Sequence, residues 1–130
     1  MRTLLAYGHA VARLWRVRRD LVRIGFARSV ERWIGSVDQA DFGARVDPLM
    51  LARFIHRLGR RLRGSRCLDQ SLALTSILRQ RGHAATLVIG AERGGAGVSA
   101  HAWVELDGLA LDESPEPRAR LSVLETWPQL

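Results

Sequence analysis

The chain holds a single cysteine, Cys67, inside the stretch SRCLDQSLAL at 65–74, and four histidines, His9, His56, His83 and His101. A lone thiol is either a small apolar filler or a nucleophile. As a nucleophile it needs a base to take and return a proton, a group that orients the base, and surroundings that pull its pKa below ~8.5. Cys67, at the start of a helix, is the candidate nucleophile, His101 the candidate base, and Asp112 the carboxylate to orient the imidazole. Such a set performs acyl transfer: sulfur attacks a carbonyl, the imidazolium protonates the departing amine, and the backbone N–H of Cys67 supplies part of an oxyanion hole. One cysteine removes every zinc pattern built on cysteine pairs, and the histidines lack short ligand spacing, so neither a metal nor a cofactor is expected. Gly94, Gly95 and Gly97 lack the lysine and helix context of a phosphate loop and read as a flexible connection.

These three side chains are far apart in sequence, so regular elements must bring them together. Apolar residues recur at helical spacing from Thr3 to Trp33, in one long helix or two consecutive ones broken near Arg19 and Asp20. The stretch 36–46 reads as a loop. Asp47 and Pro48 make a strong helix start, and a helix is expected from Pro48 to about Leu62, stopped by Gly64. Ser65 then caps a mostly buried helix that places Cys67 in its first turn and runs to Arg81, with Gly82 as its stop. Strands are expected over 84–90, 98–106 and 109–112, and 121–127 is a fourth strand or a short helix.

Asp107-Gly108 is the two-residue hairpin signal between the second and third strands. Extended through the third strand, that register sets Trp103 opposite Asp112 and puts His101, Trp103 and Glu105 on one face with Ala110 and Asp112. His101 and Asp112 become diagonal neighbours, roughly 7 to 8 Å apart at the backbone. On the same alternation Glu113 points away and Glu105 is out of reach. Trp103, beside His101, is expected either to wall a substrate channel or to pack in the core. The helix carrying Cys67 wants an apolar surface, yet the apolar face of the hairpin lies opposite His101. Both sheet faces are therefore covered, or a bulge twists the ladder near His101.

At 130 residues, 47% hydrophobic and 25% charged, the chain is expected to form a single α+β domain, with a basic helical region at 1–46 and a catalytic core at 47–130. Lysine is absent, and the charge is uneven: residues 1–66 carry fifteen Arg against five acids, and 67–130 carry five Arg against eight. The basic half suits nucleic acid, an acidic protein or an acidic peptide, or is a set of solvated arginine faces. A single cysteine, no membrane-length apolar run and no signal-peptide cleavage site point to the cytoplasm.

The stretches CLDQSLALTSILRQRGHAATLVIG and SAHAWVELDGLALDESPE resemble the transglutaminase-like cysteine protease core of the lasso-peptide leader peptidases, across roughly Asp47 to Trp127. The resemblance implies a transglutaminase/papain-like fold, with the helical N-terminal half packed on a small antiparallel sheet of three to four strands. It implies Cys67, His101 and Asp112 as the catalytic residues. It further implies a hydrolase that cuts the leader from a ribosomally made precursor and passes the core to an ATP-dependent cyclase. Some relatives carry a leader-recognition domain on the same chain. The Arg-rich first sixty residues here do not read as one, which implies a separate recognition protein. The alternatives are an acyltransferase on the same triad and a non-catalytic adaptor for peptide or nucleic acid.

Overall fold

The computed structural model describes residues 2–35, 47–64, 66–92, 100–113 and 116–128. The expected 36–46 loop, the Ser65 cap, the glycine connection and the first two residues of the expected second strand lie outside these residues.

Helix α1 (Arg2–Arg23) is unbroken. The break expected near Arg19 and Asp20 is absent because the Asp20 carboxylate turns inward. It accepts a 2.9 Å hydrogen bond from Trp33 Nε1 and lies 3.1 Å from Arg32. The interruption falls instead at Gly25, whose φ of 84° suits a residue without Cβ. A short α2 (Phe26–Val30) follows and continues into a π-helical turn at Glu31–Gly35. Ala6, Ala10, Leu14 and Val17 form the buried stripe of α1, three to four residues apart as a helix face requires.

Helix α3 (Pro48–Arg61) starts as its sequence dictates, with Asp47 accepting from the backbone N–H groups of Leu49 and Met50. It buries Leu51, Ala52 and Ile55. Helix α4 (Cys67–Gln80) is the hub. Every residue from Ser71 to Leu78 is buried, against α1 and α3 on one side and the sheet on the other. Gly82 ends it in the left-handed region.

Strands β1 (Thr86–Glu92), β2 (Ala100–Leu106), β3 (Leu109–Ala110) and β4 (Leu121–Trp127) form one antiparallel sheet in the order β3-β2-β1-β4. The segment 121–127 is therefore a strand. The Asp107-Gly108 turn has positive φ at both residues, 54° and 80°, the conformation a tight hairpin needs. One sheet face presents Leu87, Ala102 and Val104 to α4 and α1. The opposite face buries Val88, Trp103 and Leu121 in a smaller cluster. Beside it, Arg118 of a 3₁₀ turn (Pro117–Ala119) forks onto Glu105 at 2.7 and 3.0 Å. Both faces are thus covered, and β1 also bulges against β4 between Ile89 and Gly90, beside the residue that pairs with His101. The chain is α+β, with its helical N-terminal half packed on this sheet.

Candidate active site

Cys67 is the first residue of α4, where the leading N–H groups have no intrahelical acceptor. Two contacts fix that turn. Asp69 Oδ1 accepts from the backbone N–H of Arg66 at 2.9 Å, and its other oxygen lies 3.4 Å from Arg18 Nε on α1. One turn further on, Ser71 Oγ donates to the Ala102 carbonyl at 3.1 Å, tying α4 to β2 beside His101.

Helix start and strand converge on the thiol. Cys67 is hydrogen-bonded to the His101 imidazole, and the Ala102 backbone N–H points at its sulfur. The imidazole chiefly, and the amide after it, hold the thiol below its ordinary pKa, although burial and the charge of Glu113 push the other way. The same bond to Cys67, followed by one to Glu113, raises His101 to about 9. Both directions favour a thiolate facing an imidazolium. The pair opens onto a cleft of about 400 Å³ also lined by His56, Arg60, Gln70, Asp112 and Glu113.

The carboxylate on His101 differs from the expected one. His101 Nε2 lies 3.2 Å from Glu113 Oε1, whereas Asp112 Oδ2 pairs with His56 Nδ1 at 2.9 Å and its Oδ1 lies 3.8 Å from Arg53. The expectation extended the hairpin register through residue 112, but strand pairing ends at Ala110, opposite Glu105, and the last cross-strand hydrogen bond runs from the Leu111 N–H to the Val104 carbonyl at 2.9 Å. Asp112 then adopts a left-handed backbone, φ 54°, which ends the side-chain alternation and swings the next residue toward His101. Asp112 is in the cleft, on a different histidine.

Trp103 packs in the core and does not wall a substrate channel. At 1% exposure it has no surface to offer a substrate. Its ring stacks beside His101 at 5.9 Å between centroids and 21° between planes, and its Nε1 donates to Glu105 at 2.9 Å. Gly90 makes room for it: a Cβ there would sit 2.8 Å from Trp103 Cη2. The tryptophan sets the plane of the imidazole from below.

Strand alternation set Glu113 aside, and no sequence pattern singled out His56. The adjacent acids at 112 and 113 were a signal for the first, since a two-residue strand makes either one available. His56 carried none, because its pairing depends on how α3 packs against the turn after β3.

No curated protein and no solved structure matches the chain at significance. A family model does match, described as the transglutaminase-like superfamily, over residues 5–126. It takes in most of α1 and reaches into β4, and it starts well upstream of the resemblance that began near Asp47. With nearly the whole length covered, the chain belongs to the transglutaminase-like superfamily.

Proposed function

We propose that this protein is a cysteine peptidase that removes the leader segment of a ribosomally made lasso-peptide precursor, with Cys67 as nucleophile, His101 as base and acid, and Glu113 as the carboxylate that orients His101. The observation that carries the chemistry is the Cys67 thiol at a helix start, hydrogen-bonded to an imidazole whose Nε2 faces a carboxylate. Membership of a superfamily that generally holds cysteine proteases or acyltransferases supports the reaction class. The leader-peptidase assignment rests on the resemblance of residues 47–127.

The thiolate adds to the scissile carbonyl carbon, forming the C–S bond, and the carbonyl oxygen takes the negative charge near the leading N–H groups of α4. As the C–N bond breaks, the imidazolium gives its proton to the leaving amine. Neutral His101 then takes a proton from water, hydroxide adds to the thioester, and the C–S bond breaks to restore thiolate and imidazolium. Asp112, held by His56 and Arg53 of α3, anchors the turn that presents Glu113.

The test is mass spectrometry of a candidate precursor incubated with the protein, with and without its recognition partner. The reading expects a leader and a free core, and loss of several orders of magnitude in rate for Cys67→Ala. An amine adduct in place of the free acid would make it an acyltransferase. Cleavage that survives Cys67→Ala overturns the mechanism.

A further inference from the structure

A second concavity, about 840 Å³, adjoins the Cys67 turn: Arg66 and Leu68, the residues on either side of the cysteine, both line it. Its far wall is α1. Trp15 and Val22 are 53% and 87% exposed there, with Phe26 and Leu68 beside them, an unusual concentration of apolar surface for a helix otherwise rich in arginine. Arg16 and Arg66, from different elements, also line it, and neither is ion-paired among the described residues. Arg18 is committed differently. It bonds the Arg63 carbonyl, approaches Asp69 and lies over the Trp15 ring, so it braces the wall.

We infer that this groove holds an arm of the substrate polypeptide beyond the scissile bond, and that it selects a segment bearing both acidic and apolar side chains. The inference rests on the peptidase reading above and deepens it. Proximity to the thiol and charge complementarity both point to this occupant. Arg66 and Leu68 flank Cys67 in the chain, so the groove lies within reach of a polypeptide whose carbonyl sits at the thiol. Unpaired guanidinium groups beside an apolar floor complement carboxylates interleaved with aliphatic or aromatic residues. A nucleic acid backbone would meet the arginines but would waste Val22 and Leu68.

The test uses the full chain carrying Cys67→Ala, so that binding is read without turnover. The probe is a fluorescein-labelled peptide of Glu, Leu and Ser, and the control is the same peptide with Lys in place of Glu. Fluorescence anisotropy should give at least about tenfold tighter binding of the Glu probe, weakening with salt, and Arg16→Glu with Arg66→Glu should cancel the preference. Val22→Asp, at an exposed position that leaves the core untouched, should weaken the Glu probe as well. Equal binding of the two probes overturns the proposal. So does tighter binding of a single-stranded RNA oligonucleotide, or self-association of the chain that the arginine reversals abolish. Alkylation of Cys67 by iodoacetamide in the otherwise wild-type chain is a separate readout: an unreactive thiol defeats the peptidase reading and leaves the groove measurement standing.

Discussion

Two adjacent carboxylates, Asp112 and Glu113, compete for the role of orienting His101, and isosteric amides separate them. Glu113→Gln removes the charge that faces Nε2 at 3.2 Å. A hydrogen bond to a charged group contributes ~1.5–3 kcal/mol. This one is longer than the ~2.7–2.9 Å of the best charge-assisted pairs. Both side chains also keep some solvent contact, 26% and 20%. The expected loss is therefore about 1–2 kcal/mol, or ~5–30-fold in the rate of precursor hydrolysis. Asp112→Asn breaks a partly exposed pair with His56 and Arg53, worth ~0–1 kcal/mol, and asparagine keeps the left-handed backbone at that position. The direct assay is an NMR titration of the His101 ring, assigned by the resonance that His101→Ala removes. The wild-type midpoint is expected at about 9. In Glu113→Gln it should fall toward the ordinary 6.5 without reaching it, because the larger cause, the bond to Cys67, is intact. In Asp112→Asn it should stay in place. If Asp112→Asn lowers the midpoint while Glu113→Gln leaves it at about 9, the assignment of the orienting carboxylate is wrong.

Gly90→Ala places a methyl group 2.8 Å from Trp103 Cη2 and 2.9 Å from the Ser122 backbone oxygen. Since the Ser122 contact is backbone, the strand itself must shift, at ~1–3 kcal/mol. Thermal denaturation should show the loss, and displacement of Trp103 should also disturb the His101 titration; an unchanged melting temperature would contradict the packing. The raised value of His101 gives stability a pH window. A folded-state pKa above the unfolded one stabilises fully below the unfolded value, 6.5, and the contribution disappears as pH rises through about 9. The difference in melting temperature between the wild type and His101→Ala should therefore shrink across that interval, and a difference that grows would reverse the sign of the linkage.

Local chemistry decided much of this protein before any tertiary contact. Asp47-Pro48 starts a helix because a side-chain acceptor and a missing donor are both favourable there, and Asp107-Gly108 closes a hairpin because both residues accept positive φ. The near-continuous apolar run of α4 made it the buried hub, and its start marked Cys67 as a thiol at a helix tip. The spacing of apolar residues also made 3–33 helical, but not where that region bends: Asp20 looked like a break until its partners, Trp33 and Arg32, were in place.

The pairing of His101 with Glu113 belongs to the tertiary structure alone. Strand alternation assigns faces only while the ladder lasts, and β3 lasts two residues. Beyond it, the direction of each carboxylate is set by what packs against the turn, here His56 and Arg53 of a helix nearly sixty residues upstream in the chain. Trp103 followed the same logic. Its neighbour on the strand was readable, but its complete burial came from Gly90, β4 and the Arg118 turn closing over it. Residue types and periods determined which groups could react, whereas their final partners depended on long-range packing, which no local pattern encodes.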